Sequence, residues 1–115
     1  METIFLKTQS GKTLKGPQVI ETKAFKDQRG IFYESWNSNH FNSLINKNIN
    51  FVQDNLSHST KGVLRGLHYQ LDPFKQGKLI RCIKGRIFDV IVDLQQSSDT
   101  FLSWSFIELS ETNFK

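Results

Sequence analysis

Apolar and polar positions alternate along much of this chain with the period of two that belongs to β-strands, in short runs set between glycines and polar turns. The runs are Gly30–Trp36, Phe51–Leu56, Gly62–Gln70, Lys78–Ile83, Arg86–Leu94 and Phe101–Leu109. Strand-like runs at such spacing predict an all-β sandwich or barrel. Within Arg86–Leu94, Phe88, Val90, Val92 and Leu94 share one face, which is expected to be core. Ile87, Asp89, Ile91 and Asp93 share the other, which either meets solvent or lines a polar cavity; solvent is the simpler reading. Lys84-Gly85-Arg86 separates two apolar, β-branched runs and predicts a hairpin turn, with Gly85 supplying a backbone angle that other residues avoid. One helix is expected from about Asn39 to Lys47, because Phe41, Leu44 and Ile45 fall on one face and Ser38 or Asn37 can cap it. Residues 1–24, with Gly11, Gly16 and Pro17, read as an N-terminal arm or edge strand. No repeat or Pro/Ser-rich linker divides the chain, so residues 1–115 are expected to form a single domain.

Composition narrows the class without giving the chemistry. Hydrophobic residues are 37% of the chain and include ten Phe, enough for a small core and too many for wholesale disorder. No apolar run approaches the ~20 residues of a bilayer span, and Met1 to Thr13 lacks the apolar stretch of a secretory signal. A cytoplasmic protein with no membrane partner is therefore expected. Cys82 is alone, so it forms no internal disulfide, and no Cys/His zinc spacing occurs. Fifteen Lys and Arg against 11 Asp and Glu give a formal charge of +4. The densest basic group, Lys75, Lys78, Arg81, Lys84 and Arg86, is interrupted by Leu79, Ile80, Cys82 and Ile83. Such spacing fits strands with solvated edges rather than a nucleic-acid stripe, and no nucleic-acid partner is expected; a small phosphate-bearing ligand is the sharper alternative.

Chemistry concentrates in Thr60-Lys61-Gly62-Val63-Leu64-Arg65-Gly66-Leu67-His68-Tyr69-Gln70. A lone histidine late in a strand is most simply a satisfied core residue, but here an arginine and two glycines precede it. Strict alternation sends Arg65 and His68 to opposite faces, so both meet one cavity only if Gly66 marks a bulge. Gln53-Asp54-Asn55 alone reads as a turn, and Lys78, after Gln76-Gly77, as a strand-end lysine. Asp27-Gln28-Arg29-Gly30 reads as a turn entering a strand, with a salt bridge between Arg29 and Glu34 as the simplest role for both. His40 and His58 lie in polar surroundings and are expected to be exposed.

Taken in order, these segments resemble one family. From Phe25 to about Asn113, the runs Asp27–Phe32, Phe51–Asn55, Gly62–Gln70, Gln76–Ile80 and Gly85–Val90 are similar, in sequence and order, to the dTDP-4-dehydrorhamnose 3,5-epimerases. The resemblance implies a cupin-like jelly roll and a thymidine-diphosphate 4-keto-6-deoxyhexose substrate, inverted at C3 and C5 through an enolate on the route to dTDP-L-rhamnose. That sugar is a building block of cell-surface polysaccharide such as O antigen. By motif, His68 resembles the general base, and Arg29, Glu34, Gln53, Asp54, Asn55, Arg65 and Lys78 match substrate-binding positions. The chemistry suits them: a proton beside the C4 carbonyl leaves an enolate that Lys78 or Arg65 can stabilise, and guanidinium forks match diphosphate oxygens. Neutral imidazole is a suitable base near pH 7. Asp89 is a further, weaker catalytic candidate on the mixed face of its strand.

Many cupins hold a metal with a Gly-x5-His-x-His pattern followed by Glu. Here Gln70 stands where the second histidine belongs and no Glu follows before Lys78, so neither a metal nor an organic cofactor is expected. Family members are homodimers that share strands, a role open to the N-terminal arm. They also continue past the position of Lys115 with a tyrosine proton donor, a carboxylate that orients the base and a second histidine. The chain therefore reads as the N-terminal portion of the pattern, incomplete at its C-terminus. It is expected either to be inactive or to abstract protons without net inversion. A dTDP-4-keto-sugar 3-epimerase or ketoisomerase, and a non-catalytic nucleotide-sugar-binding cupin, stay open as alternatives.

Overall fold

A computed structural model describes all 115 residues. It is mainly β with one short helix: β1 (Glu2–Ile4), β2 (Val19–Glu21), β3 (Ala24–Asp27), β4 (Gly30–Tyr33), α1 (Ser38–Ile45), β5 (Arg86–Val92) and β6 (Trp104–Ser110). These strands form three antiparallel pairs, β1 with β2, β3 with β4 and β5 with β6. The chain packs as two units, one made of Met1–Ile49 with Arg81–Lys115 and the other of Asn50–Ile80.

The first unit holds all the regular structure. Its N-terminal residues fold back on themselves: Thr3 pairs with Ile20, Lys7 bridges to Thr13, and Leu14, 1% exposed, anchors the core with Val19, Phe41, Cys82 and Leu109. The helix starts where its cap allows. Asn37 is extended and its side-chain oxygen accepts from the N–H groups of Asn39 and His40, both at 3.1 Å. Asn46, left-handed at φ 52°, ends it. Phe41 is its buried residue, against Trp36 with ring centroids 5.0 Å apart.

The faces of β5 are the reverse of the sequence expectation. Phe88, 64% exposed, joins Trp104 and Phe106 in an aromatic face open to solvent, with Phe88 and Phe106 centroids 4.7 Å apart. The mixed face is the inner one: Asp93, Ser105 and Leu109 are buried, Asp89, Ile91 and Ile107 half-buried. Hydropathy alone misleads here because the inner polar groups are satisfied by nearby chain. Ser105 Oγ donates to the Lys7 carbonyl at 2.7 Å. Asp93 accepts from Thr100 Oγ1 at 2.7 Å and from the Gln95 N–H at 2.9 Å, while the Lys15 N–H donates to Thr100 Oγ1.

Burial pushes the Asp93 carboxyl up, but hydrogen bonds from Ser98, Thr100 and Gln95 outweigh it and hold the group below its ordinary value. A carboxyl depressed in the folded state contributes stability that is complete above its unfolded pKa of ~3.9 and is lost as pH falls through the lower folded value. Asp93→Ala is therefore expected to destabilise the chain at pH 7 by about 1–3 kcal/mol. Denaturation followed from pH 7 to pH 2 checks this: the gap between wild type and variant narrows below pH ~4.

Three expected strands are absent. Phe51–Leu56, Gly62–Gln70 and Lys78–Ile83 make no ladder, and the hairpin expected at Lys84-Gly85-Arg86 does not form because Lys78–Ile83 is not a strand; β5 pairs with β6 alone. Alternation reports which residues can line a strand, whereas a strand persists only with a hydrogen-bonded neighbour. Between residues 50 and 80 backbone bonds close turns, from Val63 N–H to the Thr60 carbonyl and from Phe74 N–H to the Leu71 carbonyl. Gly85 does take the expected special conformation, φ 76°, and its carbonyl accepts from the Glu111 N–H. The other strands are shorter than their sequence runs: β4 stops at Tyr33, β5 at Val92, and β6 starts at Trp104.

Candidate active site

The candidate residues divide between the two units. Gln53, Asp54, Asn55, Arg65, His68 and Lys78 lie in the Asn50–Ile80 unit and all are exposed. Arg29, Glu34 and Asp89 belong to the other.

In the Asn50–Ile80 unit, Gln53 Nε2 donates to Asn55 Oδ1 at 3.2 Å, so two of the three polar residues of that turn hold each other. Arg65 Nε and Nη2 both donate to Ser59 Oγ at 3.2 Å, which orients the guanidinium fork without neutralising it. Lys75 is paired with Asp72 at 2.6 Å, whereas Lys78 has no ion pair. His68 makes no hydrogen bond through its ring; the feature beside it is Gly66. No ladder exists for Gly66 to interrupt, so it is not a bulge. It is at φ 112°, and a Cβ there would stand 3.2 Å from His68 Nδ1 and 3.5 Å from the His68 amide nitrogen. The imidazole thus lies beside Gly66, in space that a Cβ would crowd.

This geometry predicts that Gly66→Ala displaces the ring and strains the backbone by about 1–3 kcal/mol. Proton abstraction assigned below to His68 is expected to fall roughly tenfold or more in that variant. A shift of the His68 ring signals in a ¹H–¹⁵N spectrum accompanies the loss, and an unchanged ring environment would count against it.

In the other unit the expected Arg29–Glu34 salt bridge is replaced by two local ones. Arg29 turns back onto Asp27, with Nη2 2.6 Å and Nε 3.0 Å from Oδ2, because the tight β3–β4 turn places Asp27 two residues away. The guanidinium holds the Asp27 carboxyl below its usual range. Glu34 instead takes His40 Nδ1 at 2.7 Å on Oε1 and Asn37 Nδ2 at 3.0 Å on Oε2. The His40 contact first and the Asn37 bond second lower its carboxyl. His40 is exposed as expected, but its ring is not idle. The signal was present in the chain: an Asn cap placed three residues after a Glu and three before a His brings both to one helix start. Asp89 is half-buried on the inner face of β5, opposite Ile107. No three His, Cys, Asp or Glu side chains gather as a ligand set. Two shallow concavities, beside Lys15 and Asp99 and beside Gln9 and Trp104, contain none of the candidate residues.

Residues 12–115 match the dTDP-4-dehydrorhamnose 3,5-epimerase family. The chain belongs to that family. The dTDP-4-dehydrorhamnose 3,5-epimerase of Shigella flexneri is 54% identical over 95 residues, covering 83% of this chain and 52% of that protein. The enzyme of the same name from Methanothermobacter thermautotrophicus is 47% identical over 111 residues, 95% of this chain and 56% of that one. Among solved structures, the epimerase of Legionella pneumophila in complex with dTDP-4-keto-L-rhamnose superposes with a TM-score of 0.83 at 42% identity, covering 98% of this chain and 57% of that one. The Elizabethkingia anophelis epimerase gives 0.81 at 44%, covering 98% and 60%. The chain therefore has the mainly β, cupin-like fold of these epimerases, and it spans about half the length of the curated relatives it matches. No helix is long and apolar enough to cross a membrane.

Proposed function

We propose that this member of the epimerase family carries the proton-abstracting residues of a dTDP-4-dehydrorhamnose 3,5-epimerase site. Its substrate is a thymidine-diphosphate 4-keto-6-deoxyglucose, and the whole 115-residue chain serves one epimerase domain. The observation that carries this reading is the match across residues 12–115, which includes the His68 segment, together with 42% identity to a neighbour solved with a dTDP-keto sugar.

His68 is the base. It takes the proton at C5 or C3, the C–H electrons move into the bond to C4, and the charge collects on the C4 oxygen as an enolate. Lys78 stabilises that oxygen, Arg65 takes the diphosphate, whose oxygens suit a forked donor, and Arg29 adds a further substrate contact. Gln53, Asp54, Asn55 and Glu34 complete the substrate contacts, and Asp89 is the weaker catalytic candidate. Acid, base and a fixed positive charge suffice for this chemistry, so the proposal includes no metal or organic cofactor. A cytoplasmic homodimer feeding cell-surface polysaccharide synthesis is the setting that the family implies.

Proton NMR of the keto sugar in D₂O with this chain is the test. Loss of the C3 and C5 proton signals, with or without net inversion, supports the assignment. No loss above a protein-free control overturns it for this chain. Binding of the sugar nucleotide without exchange, unchanged in His68→Ala, would point instead to a nucleotide-sugar-binding cupin.

A further inference from the structure

We propose that His40 is a positioning residue for Glu34, holding the carboxylate in the orientation from which it contacts the sugar nucleotide; this rests on the substrate role proposed for Glu34. The geometry is reciprocal. Asn37 uses its oxygen to cap the helix at Asn39 and His40, so its amide nitrogen must point the other way, where it meets Glu34 Oε2 at 3.0 Å. The same cap sets the first turn of α1 and carries the His40 ring to within 2.7 Å of Oε1. Both carboxylate oxygens are thereby held from one side by a helix start. Two defined donors fix the rotamer of a side chain that otherwise turns freely about three bonds, leaving the remaining lone pairs directed away from the helix. His40 need not touch the substrate for this, because it acts through Glu34. The held carboxylate also titrates below its ordinary range, as a group hydrogen-bonded in its charged form should.

The donor is Nδ1, one bond from Cγ, and the side-chain nitrogen of asparagine occupies the same place. Glutamine extends its nitrogen one carbon further. His40→Asn is therefore expected to restore what His40→Ala and His40→Gln lose. Helix propensity ranks these residues the opposite way, with Ala best, Gln next and Asn worst, so a purely structural role at position 40 would give the reverse order.

The experiment is calorimetric titration of the full chain with dTDP-glucose, alongside ¹³C detection of the Glu34 carboxyl through an acid titration. The expected result is that Ala and Gln weaken binding on the order of tenfold, while Asn stays within about twofold of wild type. In a Glu34→Gln background the identity of residue 40 should make no difference to affinity. The Glu34 carboxyl should titrate higher in the Ala and Gln variants and stay low in Asn. Affinities that follow helix propensity, or that do not respond to residue 40 although Glu34→Gln weakens binding, overturn the inference and leave the substrate reading standing. A wild-type chain that binds no dTDP-glucose overturns both, even where the carboxyl titration shows that His40 holds Glu34.

Discussion

His68→Ala is expected to lower C3 and C5 proton exchange by roughly 10²- to 10⁴-fold, the range that a positioned general base contributes. The argument is chemical before it is structural. The two hydrogens lie beside a ketone and leave only with a base within hydrogen-bond reach, and among the proposed site residues His68 is the one with an imidazole, the side chain most often used as a general base. The other two histidines do not substitute for it. His40 is committed to Glu34 at 2.7 Å, and His58 lies in the exposed Ser/Thr-rich stretch upstream of Gly62. The measurement is loss of the two proton signals in D₂O, compared between wild type and variant at matched protein concentration. Affinity for dTDP-glucose should change by less than about threefold, because truncating a base that acts in the transition state removes little ground-state binding. Exchange that survives the substitution would remove His68 from the chemistry, and a parallel collapse of affinity would mean that the residue binds rather than abstracts.

Local signals proved legible in the sequence; pairings did not. The helix, its Asn37 cap and the special backbone of Gly85 follow from side-chain chemistry within a few residues, and the structure shows each of them. Strand existence depends on a partner distant in sequence, which explains why Arg86–Val92 becomes a strand opposite Trp104–Ser110 while Lys78–Ile83 does not. The inverted faces of β5 have the same origin. Nothing local announces that Lys7 and Lys15 will bring backbone groups to Ser105 and Thr100, 98 and 85 residues away, and so make the polar face the inner one.

The candidate site divides along similar lines. Order and spacing of motifs were enough to pick out the family, and a nearer, geometrically easier carboxylate then took Arg29 from Glu34: Asp27 lies two residues away across a tight turn. Gly66 is the instructive intermediate case. Its importance to His68 could be anticipated from the alternation problem, but the cause is a close approach of the imidazole rather than a break in a ladder.

Lys78→Met is expected to reduce proton exchange by roughly 10²- to 10³-fold, the cost of removing one preorganised stabiliser from a developing oxyanion. The local electrostatics favour Lys78 over its neighbours. Lys75 is paired with Asp72 at 2.6 Å, Arg29 is bound to Asp27, and Lys78 alone among these three has no carboxylate in range. An unpaired ammonium is free to meet an enolate oxygen, whereas an exposed pair such as Lys75–Asp72 must first open, at a cost of about 0–1 kcal/mol. Methionine keeps the unbranched stem and removes the charge, so packing is nearly preserved while the electrostatic contribution is lost. Lys78→Arg separates charge from shape: it retains the positive charge but presents a planar fork in place of a compact point charge, and should recover part of the exchange rate. If Met and Arg both leave exchange at the wild-type rate, the enolate is stabilised elsewhere, and Arg65, whose fork is held by Ser59 with its charge intact, becomes the group to substitute next.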